Sequence, residues 1–181
     1  MTAEELDTVR WFVMRAHRAE KKAAECLSQA EGMEFYIPME NVVRIYHGKK
    51  TRRQVPVIPG LVFVHASQRE IVDFKNRNNF LQFVIWKKST GPEYLTVPEN
   101  QMRDFIRISS SPNADATYLR PEEVDIRKGA RVRILGGEFD GVCGKFMQVK
   151  GKRNRRLVVL LDGLLAVTAD IQPDLIEVIS E

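Results

Sequence analysis

Five short apolar runs between Ile126 and Ile179, each closed by turn residues, restrict this chain more than any other feature. Strands so brief and so closely spaced close most naturally into a small barrel. In the first run Val132 and Ile134 alternate with Arg131 and Arg133, the pattern of a strand with one face inside. Gly136-Gly137 and Asp140-Gly141 supply turn chemistry. Gly144 interrupts the second run, where a bulge or a close backbone approach is expected.

Upstream the periodicity changes. Trp11-Phe12-Val13-Met14 reads as a buried strand, and Ala19, Ala23, Ala24, Leu27 and Ala30 form an apolar stripe at helical spacing. Phe35 to Pro38 is a strand candidate. Val42 to Tyr46 and Val55 to Ile58 pair as an inserted hairpin across a basic turn, residues 47–53. Leu61 to His65 is a strand, a helix is expected over about Gln68 to Arg77, and Phe80 to Trp86 is a further strand. Pro98 suits the first position of a third helix that includes Met102, Phe105 and Ile106. Setting the hairpin aside, the order is β-α-β-β-α-β-α, an antiparallel-rich sheet covered by helices. Ser109 to Ala116 has the composition of an exposed connector. We therefore expect an α+β chain with a first domain at 1–108, a linker at 109–122 and a second domain at 123–181.

Composition narrows the functional classes. The 181 residues are 44% hydrophobic, enough for ordinary cores. The acidic opening does not read as a secretory signal, and no segment approaches the roughly 20 apolar residues that span a bilayer, so a soluble cytoplasmic monomer is expected. Cys26 and Cys143 fall in different domains, which argues against a disulfide framework. Residues 1–108 hold 17 Lys and Arg against 13 Asp and Glu, whereas residues 109–181 are balanced at 11 and 11. An acidic partner is expected to meet the first domain.

The second domain resembles a KOW module through its basic-hydrophobic opening strand, Gly137-Glu138-Phe139, and Gly144 within Val142 to Phe146. The first resembles the NusG N-terminal domain through Trp11-Phe12-Val13, Ile37-Pro38-Met39-Glu40 and Pro59-Gly60-Leu61-Val62-Phe63-Val64. The two-domain order is similar to the NusG family of transcription factors, and within it to specialised paralogues such as RfaH and the UpxY antiterminators. The resemblance implies a NusG N-terminal-type antiparallel sheet with flanking helices, followed by a small SH3-like KOW β-barrel. It also implies a non-enzymatic factor that docks on the RNA polymerase clamp helices and suppresses pausing or termination in selected operons.

Specific residues carry that expectation. Leu61 and Phe63 match positions of the polymerase-docking depression, and sheet core is the equally open alternative. Trp86 is the stronger polymerase contact, because alternation places it opposite Leu81, Phe83 and Ile85. Arg15, His17, Arg18, Lys21 and Lys22 resemble the region that meets non-template DNA, with nascent RNA as the other ligand and a solvated helix face as the plain reading. Phe139 is either a partner contact or a cap on the barrel core. For the KOW-like domain the partner stays open between Rho, a ribosomal protein and neither, and the basic loop from Lys152 to Arg156 suits RNA or an acidic surface. A threonine-rich gate-loop contact, expected near Glu70 to Asp73, has no counterpart.

No residues support catalysis, a cofactor or a metal. His17, His47 and His65 have no ligating spacing, neither cysteine lies in a Cys-x-x-Cys pair, and neither a Gly-x-Ser-x-Gly elbow nor a phosphate-cradling Gly-rich loop occurs. The competing functions are a KOW-type RNA-binding or ribosome-associated protein and a housekeeping NusG.

Overall fold

The computed structural model describes residues 3–17, 19–88, 91–125, 127–161 and 164–179. They form two compact units, Met1–Pro98 and Glu99–Glu181. The first contains α1 (Ala3–Asp7), β1 (Val9–Ala16), α2 (Glu20–Ser28), β2 (Glu34–Tyr36), β3 (Met39–Tyr46), β4 (Lys49–Pro56) and β5 (Leu61–Ser67). It continues with α3 (Gln68–Arg77), β6 (Leu81–Phe83), β7 (Ile85–Lys88), β8 (Gly91–Tyr94) and β9 (Thr96–Val97).

The central sheet runs β2-β5-β1-β6, with β9 also paired to β1, and every ladder is antiparallel. Its middle strands are apolar at successive positions because both faces are covered, which is why Trp11 to Met14 and Leu61 to Val64 show no alternation. One face presents Phe12, Met14, Ala16, Val62, Val64 and Ala66 to Ala23 and Leu27 of α2 and to Ile71 and Phe74 of α3. The stripe foreseen for the first helix supplies these α2 contacts.

A capping box starts α3. The Ser67 hydroxyl accepts the Glu70 N–H at 3.3 Å, while a Glu70 carboxylate oxygen accepts the Ser67 N–H at 2.8 Å. The carboxylate also accepts the Ser67 hydroxyl at 2.7 Å, and this bond, then the one from the Ser67 N–H, holds the Glu70 carboxyl below its usual range. Ser67→Ala is expected to lower stability by about 1 kcal/mol in urea unfolding, the usual cost of losing such a cap.

Three expectations change in this unit. The apolar segment 80–86 is two strands, divided at Val84, which donates its N–H to the Val13 carbonyl of β1 and accepts the Leu95 N–H. Ile85 is therefore not core but 58% exposed. The seven-residue basic turn shrinks to two, His47 and Gly48, with φ of 46° and 76°. Positive φ at both central positions matches a type I′ turn, whose twist suits a hairpin, so Lys49 to Arg53 extend β4.

The second unit holds α4 (Glu99–Ser110), β10 (Thr117–Leu119), β11 (Ala130–Ile134), β12 (Cys143–Gln148), β13 (Arg155–Leu161), β14 (Leu165–Ala169) and β15 (Ile176–Val178). Its antiparallel sheet runs β10-β14-β13-β12-β11-β15. The five foreseen strands are joined by a sixth, β10, drawn from the segment expected to be linker. The third helix also belongs here: Met102, Phe105 and Ile108 are fully buried, and α4 packs on β13 and β14. The boundary expected after residue 108 thus falls inside α4, and Ala114, expected in an exposed connector, is buried. Polar contacts fix the helix: the Cys143 N–H donates to buried Asp104 at 3.1 Å, and Arg107 donates to the Glu138 and Asp140 carbonyls at 2.6 Å each.

Candidate functional site

Antiparallel register places Leu61 opposite Arg15, and Phe63 opposite both Val13 and Tyr36. These residues occupy the sheet face away from α2 and α3, together with Trp11 and His65. Leu61 and Phe63 are both buried, as the sheet-core alternative requires. Trp11 stacks on His65 with ring centroids 4.8 Å apart, and its indole Nε1 is buried with no hydrogen-bond partner among the described residues. An unmet buried donor costs roughly 1–3 kcal/mol, which sets Trp11 apart from an ordinary core residue. Sequence reasoning treated Trp11 as a strand marker, although its two-residue spacing from Val13 already put both on the face of Phe63.

Trp86 differs from Leu61 and Phe63. It lies on β7, in a separate two-stranded ladder with β8, and is 43% exposed. Ile85 and its cross-strand partner Tyr94 are also exposed, so both faces of this ladder offer apolar surface. Phe83 and Tyr94 stack at 4.1 Å, and the Lys75 ammonium sits 4.8 Å from the Phe83 ring centroid. These three side chains line a groove of about 450 Å³ beside α3.

The basic cluster spans two elements and the turn between them. Arg15 is on β1, His17 is in the turn, and Lys21 and Lys22 are in the first turn of α2; all four are exposed. Arg18 lies outside the described residues. The Glu20 carboxylate accepts the Gly60 N–H at 2.6 Å, so it is engaged by backbone. Cations in a first helical turn oppose the helix dipole, an arrangement that a bound anion would relieve.

In the second unit Phe139 is only 8% exposed, the burial of a cap on the core. The basic loop is also altered. Arg156 is 4% exposed and donates to Thr168 Oγ1 at 3.0 Å, to the Asp115 carboxylate at 3.1 Å and to the Asp115 carbonyl at 2.5 Å. Lys152 reaches the same carboxylate at 3.4 Å. Bonds from Lys152 and then Arg156 hold the Asp115 carboxyl below its usual range. Arg153 and Arg155 alone of the four basic side chains in this loop are exposed.

Among the described residues, no three His, Cys, Asp or Glu side chains converge as metal ligands, and no helix is long and apolar enough to cross a membrane. A family model described as "Transcription termination factor nusG" matches residues 9–106, from the first central strand into α4. No curated protein matches the chain. A solved structure described as "Domain interaction in Thermotoga maritima NusG" aligns over 96% of this chain and 98% of that chain, at 17% identity and a TM-score of 0.45. With more than half of its length matched by the family model, the chain belongs to the NusG family of transcription factors.

Proposed function

We propose that this protein binds elongating RNA polymerase through the clamp helices and suppresses pausing or termination in selected operons, as a specialised member of its family. The observation that carries this reading is Trp86, a large aromatic side chain 43% exposed within the family-matched segment. Interfaces favour such anchors. Leu61 and Phe63 support the docking surface from the sheet, and Arg15, His17, Lys21 and Lys22 hold non-template DNA or nascent RNA. No catalytic group is required. A bridge that prefers the elongating conformation by about 1.4 kcal/mol shifts the balance with the paused one tenfold.

Trp86→Ala is expected to leave unfolding free energy within about 0.5 kcal/mol of the parent. It should weaken capture of core polymerase by roughly thirtyfold, the scale of a hot-spot truncation of about 2 kcal/mol. Wild-type protein that is folded yet captures no polymerase would overturn the proposal. A second reading, an RNA-binding KOW protein, is favoured by exposed Arg153 and Arg155. If their replacement by Ser abolished RNA binding while terminator read-through persisted, the two activities would be separate.

A further inference from the structure

No described side chain of the hairpin β3–β4 is fully buried. Its eight cross-strand pairs, from Met39↔Pro56 to Tyr46↔Lys49, make a ribbon about 27 Å long at the usual rise per residue, and it joins no other sheet. Residues 39–56 hold five of the chain's 28 Lys and Arg and one of its 24 Asp and Glu, leaving the rest of the protein balanced at 23 and 23. The entire formal net charge of +4 is thus the charge of this ribbon.

Arg44, Lys49, Lys50, Arg52 and Arg53 are all exposed and have no ion-pair partner among the described residues. Charged side chains on an exposed strand also guard its edge against aggregation. Here Val43 and Ile45 stand 58% and 70% exposed, directly across from Arg52 and Lys50. Cations beside apolar contacts on a narrow two-stranded ribbon match a polyanion with a groove.

We propose that the β3–β4 hairpin is a binding element for B-form duplex DNA. The major groove of B-form DNA, about 12 Å wide, admits a two-stranded β-ribbon, whereas the deep, narrow major groove of A-form RNA does not. Single-strand sites rely on aromatic platforms, and the exposed apolar side chains described on this ribbon are aliphatic. The five cations meet phosphates on the groove walls, and Val43 and Ile45 lie against base edges. The site is distinct from the cluster around Arg15 and does not depend on attachment to polymerase.

The test uses the full chain and a labelled 24-base-pair DNA duplex, with no polymerase, in anisotropy titrations from 50 to 200 mM salt. Five phosphate contacts predict a log–log salt slope near −4.5, an affinity loss of about 500-fold across that range. Replacing Lys49, Lys50, Arg52 and Arg53 together by Ser should weaken binding at least about thirtyfold at 100 mM salt and bring the slope near −1. Changing Val43 and Ile45 to Ser should weaken it several-fold with the slope unchanged. Circular dichroism checks that each variant keeps its fold. Undiminished duplex binding by the four-Ser variant would overturn the inference, as would equally tight binding of the matching single strand, an RNA duplex or a polyglutamate peptide.

Discussion

Gly144→Ala is expected to cost about 3 kcal/mol of stability in urea unfolding, and Gly144→Val more, since the added methyl has no space to enter. A Cβ at this position would lie 2.6 Å from the Val158 carbonyl oxygen and 2.8 Å from a Leu157 methyl. The carbonyl is backbone of β13, the neighbouring strand, and it cannot rotate aside as a side-chain tip would. Relief requires β12 and β13 to separate locally, breaking contacts around Leu157 and Val158, both fully buried. Gly144 also pairs with Val132 on the other side, so the strain spreads to β11. Unchanged urea midpoint and slope in Gly144→Ala would show that the sheet has slack at this point.

The second large effect is expected at Arg156. Arg156→Ala should destabilise the protein by about 3 kcal/mol, since it removes a buried guanidinium and strands the groups it satisfied. Thr168 is fully buried and loses the bond at its hydroxyl, and Asp115 loses its contacts from the guanidinium at both carboxylate and carbonyl. Arg156→Met, of similar length and without unmet donors, should cost less than the alanine variant. The same cluster gives a pH signature. The folded Asp115 carboxyl is lowered from an ordinary value of 3.8, so its contribution is complete above that value. It is lost as pH falls from 3.8 through the folded value. Asp115→Asn should flatten the acid limb of the stability curve. The carboxylate is 69% exposed, so solvent screens the effect and it stays small. An acid limb identical in parent and variant would remove Asp115 from the account.

What the sequence disclosed follows from how local each signal is. The helix expected over Gln68 to Arg77 matches α3 end for end, because Ser67 and Glu70 form their cap within four residues of chain. Leu61 to Val64 and Trp11 to Met14 were legible as strands because burial on both faces leaves an unbroken apolar run. The division at Val84 was not legible, since it depends on hydrogen bonds to Val13 and Leu95, distant in sequence. For the same reason Lys152 to Arg156 read as one basic loop. Only folding brings Asp115 and Thr168 to Arg156, which turns one of those charges into an internal fastening. The candidate site divides the same way. Trp86 is exposed as expected, but the alternation behind that expectation breaks at Val84 and fails for Ile85, and alternation could not tell whether Leu61, Phe63 and Phe139 were contact or core.

The placement of α4 bears on any attempt to study the two halves separately. Severing the chain after Ile108, where its composition invites a cut, would strip the C-terminal half of Met102, Phe105 and Ile108 and lay bare the apolar patch on β13 and β14 that they cover. Such a fragment would be sticky for a reason unrelated to its natural partners. Proteolysis or recombinant dissection guided by Pro98 keeps that covering helix in place, so any association then seen belongs to the native surface.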